Sequence, residues 1–170
     1  KIKTIILNHT IFRHGNGYVK LSPNNNGLLI DATLVYADKI IGTQSYSCLI
    51  DGTKKSIDNF VKNISRSRTF GKYSEWEYLK AHGMGRGANE HNVIALNANG
   101  DGTMNKLYYK DEFVRHKIID ALGDMFTSTG FVVGHLESYK GSRALNNLVL
   151  RKLFSDKSNY EIIEPKGKKK

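Results

Sequence analysis

From Asp111 to Phe126 the sequence reads DEFVRHKIIDALGDMF, and Val114, Ile118, Ala121, Leu122 and Met125 fall at helical spacing. Apolar residues recurring every three to four positions form one stripe on a helix, and such a stripe has to be buried against another element. A second stretch, Ala144–Phe154, predicts another helix with Leu145, Leu148, Val149 and Phe154 facing inward. A third places Ile57, Phe60, Val61 and Ile64 at i, i+3, i+4 and i+7, with Ser56 as the expected N-cap after the Asp51–Gly52 turn. A shorter helix is expected over Glu75–Ala81, ending near Gly83.

The partner of these helices is written in the first third of the chain. Ile2–Leu7, Ile11–Phe12, Tyr18–Leu21, Leu28–Tyr36 and Ser47–Asp51 are rich in β-branched and aromatic residues, with turn chemistry at His14–Gly17 and Ser22–Gly27. Val93–Leu96, Leu107–Tyr109 and Phe131–Val133 are expected as later strands, separated by a glycine-rich stretch over 83–92 and a turn at 97–103. Strands first, then helices mixed with strands, predict an α+β domain with helices layered on a mostly antiparallel sheet. No internal repeat and no long linker divides the chain.

Composition narrows the partners. Twenty-six Lys and Arg against 16 Asp and Glu give the 170 residues a net charge of +10. The stretch Ser155–Lys170 holds five Lys and three acids, so the body without it still carries +8. A basic body suits nucleic acid, anionic lipid or a phosphorylated small molecule. The terminal KGKKK has no interleaved aromatics and matches no RNA-binding motif, so nucleic acid is not expected. No apolar run approaches the ~20 residues of a membrane helix. A single cysteine, Cys48, rules out an internal disulfide framework and a Cys-based zinc module, and fits a reducing, cytoplasmic setting. Lys1–Leu7 lacks the features of a signal sequence, which suggests a processed chain or the later part of something longer.

His116, Asp120 and Asp124 are spaced four apart on the first helix. Residues at i and i+4 are neighbours on one face, so an imidazole and a carboxylate there can converge on one ion. Both are zinc ligands, and a catalytic zinc takes three protein ligands plus water. The bare HxxxD pattern is also what an ordinary exposed ion pair looks like.

More than HxxxD is present. The run FVRHKIIDALGD (113–124), then Gly134–His135, then YKGSRALNN (139–147), with ISRSRTFG (64–71) and EYL (77–79) upstream, resembles the C-terminal half of UDP-3-O-acyl-N-acetylglucosamine deacetylase. That family is the zinc enzyme of the committed step of lipid A synthesis. The resemblance covers residues 1–155 and implies the second of two similar domains, with a β-α-β insert at about 73–96 and a basic tail over 156–170. It implies Zn2+ as cofactor, held by His116 and Asp120, and a UDP-linked acylated glucosamine as substrate. Lys117 matches a lysine associated with the substrate diphosphate, and Thr69 a threonine that contacts the acetyl carbonyl. Phe70 and Gly71 follow in the loop at the site. Trp76, with Leu79, Met84, Gly85 and Ala88, is compatible with an apolar groove for the acyl chain, or equally with core packing.

Two departures stand out. The family's third zinc ligand and its glutamate base belong to the first domain, so a separate first-domain polypeptide is an expected partner. The family's catalytic histidine, in GHALNN, is replaced here by Arg143. A guanidinium stays protonated near pH 7 and cannot cycle as a proton donor, though it can stabilise an anion. Asp124, which orients that histidine in the family, is therefore expected to form a salt bridge with Arg143. The chain reads as half of a zinc-dependent amidohydrolase, inactive alone, with a non-catalytic descendant as the alternative. His135 is expected to be a hydrogen-bonded structural histidine and Cys48 a buried small hydrophobe.

Overall fold

A computed structural model describes residues 1–165. Strands β1 (Lys3–Ile6), β2 (Thr10–His14), β3 (Gly17–Ser22), β4 (Leu28–Val35) and β5 (Thr43–Ile50) precede helix α1 (Lys54–Asn63). Then come β6 (Thr69–Lys72), α2 (Tyr73–Ala81), β7 (Val93–Leu96), α3 (Glu112–Met125), β8 (Phe131–Tyr139), α4 (Arg143–Phe154) and β9 (Tyr160–Ile163). None of the described helices is long and apolar enough to cross a membrane.

Seven strands form the main sheet around β8. The first three residues of β8 pair in parallel with β1; the remainder runs parallel to β4 on one side and antiparallel to β3 on the other. Gly134 sits where the partner changes, and a Cβ there would come within 2.6 Å of Ile6 Cγ1. β2 extends the sheet beyond β3, β5 beyond β4, and β9 beyond β1, all antiparallel. Four of the main sheet's six pairings are thus antiparallel, and the architecture is α+β as expected.

Strand alternation decides which face is covered. β4 buries Leu28, Ile30, Ala32 and Leu34 and half-exposes the residues between them. α3 packs across β4 and β5, α4 across β2 and β3, and the two helices touch. Val114, Ile118, Ala121 and Met125 of α3 and Leu145, Val149 and Leu153 of α4 join Leu21, Ile30 and Leu136 in one core. Burying each large side chain contributes about 1.5–3 kcal/mol. On the opposite face His135 Nε2 meets Asp31 Oδ2 at 2.6 Å, so the expected structural histidine is hydrogen-bonded.

Several local expectations are corrected. Helix α1 is capped by Thr53, whose hydroxyl accepts from the Ser56 amide at 3.2 Å, so Ser56 lies inside the first turn. The helix packs along β5 with Ile64 buried, leaving Ile57 and Val61 exposed. The β-α-β unit starts at Thr69 rather than at residue 73: β6 pairs in parallel with β7, and Phe70 and Gly71 lie in a strand rather than a loop. Leu107–Tyr109 forms no strand; the Tyr108 amide donates to Glu112 instead, and the Lys106 carbonyl just before it accepts from Arg68. The stretch expected as a tail enters the sheet: Lys157–Asn159 is a 3-10 turn and Tyr160–Ile163 is β9. Residues 166–170, with most of the tail's lysines, lie outside the described residues.

Candidate functional site

Helix α3 brings His116 and Asp120 to one face, with Nδ1 and Oδ2 3.5 Å apart. Lys117 Nζ lies 3.8 Å from the same Asp120 oxygen. The expectation of a shared face holds. Only 15% and 14% of the two side chains are exposed. That burial is the largest influence on His116 and lowers its pKa; Asp120 pulls it up, Lys117 and Arg143 push it down, and Glu112 raises it slightly. The net direction favours neutral imidazole, the form with a lone pair for a metal.

One turn further along α3, Asp124 is almost buried and fully engaged. Arg143 donates Nη2–H and Nε–H to its Oδ1 at 2.8 and 3.2 Å, and Asn146 donates Nδ2–H to its Oδ2 at 3.0 Å. Arg143 belongs to the first turn of α4, which is capped by Ser142; the Ser142 hydroxyl accepts from the Leu145 amide at 3.1 Å. The expected Asp124–Arg143 salt bridge is therefore present. Asp124 further raises the pKa of an already permanent cation. Lys117, Asp120, Arg143 and Asn146 line one cleft, closed by Thr33 of β4 and Ser138 of β8.

Sequence reasoning did not single out Arg68. Its guanidinium is buried and donates Nε–H to Glu112 Oε1 at 2.9 Å, Nη2–H to Glu112 Oε2 at 3.2 Å and to the Lys106 carbonyl at 2.7 Å, and Nη1–H to the Glu90 carbonyl at 3.0 Å. Glu112, with no exposed surface, also accepts from the backbone amides of Arg68 and Tyr108 at 3.1 and 2.8 Å. Every charge in this pair is satisfied, which is what a buried ion pair requires. The network clamps the residue before β6 to the first turn of α3, one turn before His116.

That clamp fixes Phe70 against the site. Its ring packs edge-on against Phe113 and Tyr36, with centroids 5.1 and 5.6 Å away, and Lys117 Nζ is 5.7 Å from its centroid. Thr69 is exposed at the start of β6, and Gly71 follows Phe70 in the strand. Trp76 is not brought to the cleft. It lies on α2 against Tyr73, at 5.8 Å between ring centroids, with Lys80 Nζ 4.2 Å from its centroid.

As a donor set, His116 and Asp120 fit two of the three protein ligands of a catalytic zinc. Among the described residues no group of three or more His, Cys, Asp or Glu side chains is arranged to hold a metal ion. The pair is suited to share a divalent cation with donors from elsewhere, beside cations that favour an anionic ligand.

The family model for UDP-3-O-acyl N-acetylglycosamine deacetylase matches residues 1–155. The UDP-3-O-acyl-N-acetylglucosamine deacetylase of a Nitratiruptor species is 39% identical over 159 residues, covering 94% of this chain and 51% of that protein. Proteins of the same name from Campylobacter lari and Campylobacter jejuni are 37% and 38% identical, each covering 89% of this chain and 49% of their own length. The chain spans about half the length of the curated relatives it matches.

Proposed function

The chain belongs to the UDP-3-O-acyl N-acetylglycosamine deacetylase family, and from that membership we propose that it forms the second half of a zinc-dependent amidohydrolase acting on UDP-3-O-acyl-N-acetylglucosamine in lipid A synthesis. The observation that carries this reading is the His116–Asp120 pair, 3.5 Å apart on one helical face beside Lys117. In the proposed reaction water adds to the acetamide carbonyl, the C–N bond breaks, acetate leaves and a free amine remains. When bound, zinc supplies Lewis-acid polarisation of that carbonyl and a more acidic water.

The residues of this chain would divide the remaining tasks. His116 and Asp120 would hold the metal with a third donor from a first-half polypeptide, which would also carry the general base. Lys117 would face the diphosphate, as a compact ammonium beside a phosphorylated ligand does. Phe70 and Thr69 would flank the acyl and acetyl groups. Arg143 would keep its proton throughout the reaction and contribute charge alone, with Asp124 holding it in place.

Arg143 also favours a second reading, a non-catalytic descendant that keeps the fold. Acetate release from UDP-3-O-acyl-N-acetylglucosamine separates the two when measured for the chain alone and for the chain combined with the first half of the Nitratiruptor relative. A deacetylase half is silent alone and turns over in combination. Silence in both supports the non-catalytic descendant, and robust turnover by the chain alone contradicts the two-part site.

A further inference from the structure

Between Tyr73 and Asn92 no residue is buried, and only Tyr73, Trp76 and Ala88 are half-buried. The strands on either side differ. Phe70 of β6 packs on Phe113, and Ile94 and Leu96 of β7 belong to the main core. Helix α2, between them, is nine residues long, starts without a side-chain cap and buries none of its side chains. Isolated helices shorter than about 12–15 residues are marginal in water, so α2 depends on what holds its two ends. Closure also carries a cost, because Trp76 Nε1–H is buried without an acceptor among the described residues. Segments with so few buried apolar contacts open at free energies below that of the whole fold.

The return of the chain from this segment is held at Glu90. Its carbonyl accepts from Arg68 Nη1 at 3.0 Å and from Asn105 Nδ2 at 2.9 Å, which uses both lone pairs. Each donor is fixed from outside the segment. Arg68 is tied by Glu112 to the first turn of α3, and Asn105 Oδ1 accepts from the Ala95 amide of β7 at 3.1 Å. The loop itself is tied internally, since Asn89 and Asn92 bond back to residues 87–92. We infer that residues 73–92 are a strap that opens as one piece while the sheet and α3 stay folded, and that Arg68 and Asn105 latch it shut at the Glu90 carbonyl. One guanidinium thus positions both the strap and the helix that carries His116 and Asp120.

Trp76 is the only tryptophan of the chain and reports on the strap directly. The test is amide hydrogen exchange of the full chain, resolved by segment, with acrylamide quenching of Trp76 fluorescence alongside. We expect residues 73–92 to exchange together and well ahead of β8 and α3. Arg68→Lys keeps a cation for Glu112 but gives up the fork that reaches Glu90; Asn105→Ala removes the other donor. Each should speed exchange across 73–92 at least about 5-fold, the size of one net hydrogen bond, and increase quenching of Trp76, with β8 and α3 unchanged. Asn105→Ala, at a partly exposed side chain, decides the matter if Arg68→Lys does not fold. Exchange of 73–92 only in step with β8 and α3 overturns the strap. Faster exchange everywhere, or no change across 73–92, in either folded variant overturns the latch.

Discussion

Arg143 donates two N–H groups to one oxygen of Asp124, at 2.8 and 3.2 Å, and so places a permanent cation against that carboxylate. The contact is geometrically good, but Arg143 is largely in solvent, and exposed ion pairs contribute little to stability. On the proposed reading its consequence is chemical: a fixed charge stands where the family pattern has a histidine.

In the combined two-half protein, Arg143→His should therefore raise acetate release. General acid–base catalysis contributes about 10²–10⁴-fold, and a gain of at least about 10-fold is expected because the carboxylate that would orient the imidazole is still present. Parallel kinetics of the two proteins check this. Equal rates would show that the guanidinium suffices.

The Arg68–Glu112 pair has the opposite character. Both side chains are buried, so Arg68→Met leaves an uncompensated carboxylate and should cost about 3–5 kcal/mol. Urea unfolding midpoints measure the loss. Replacing both partners, Arg68→Met with Glu112→Leu, should not restore stability, because Glu112 also accepts from the backbone amides of Arg68 and Tyr108. A double variant as stable as the starting protein would show those amides to be satisfied otherwise.

Cys48 gives a pH dependence. Burial pushes its thiol up from 9.0 to about 11, so the folded protein holds a proton that the unfolded chain releases. This stability is fully present below about pH 9 and is lost as pH rises through 11. At pH 8 the native thiol should resist a disulfide reagent that reacts promptly in urea, and Cys48→Ala should flatten the decline of stability between pH 9 and 11. Prompt native-state reaction at pH 8 contradicts the burial.

The legible parts of this molecule were those governed by local period. α3 and α4 follow from apolar spacing, and the facing of His116 and Asp120 follows from i,i+4 geometry. The Asp124–Arg143 pair became readable once the resemblance aligned the two residues. What escaped depends on distant partners. Arg68 sits in a polar run that reads as surface, and only Glu112, 44 residues away, makes it core. That pair in turn takes up the Tyr108 amide and the Lys106 carbonyl, within and just before the strand expected over 107–109. β9 escaped because its partner, β1, is at the other end of the chain. Ile57 and Val61 show the limit of a period: it marks a stripe, while the width of the supporting surface decides how much of it is covered.

The most direct measurement of the central claim, that His116 and Asp120 are two donors of a shared metal site, is zinc content. The chain should be analysed alone, combined with the first half of the Nitratiruptor relative, and in that combination as His116→Ala. We expect weak, readily dialysed zinc for the chain alone, one tightly held zinc per combined pair, and loss of that zinc in His116→Ala. Tight stoichiometric zinc in the chain alone, or zinc retained by the His116→Ala pair, would contradict it.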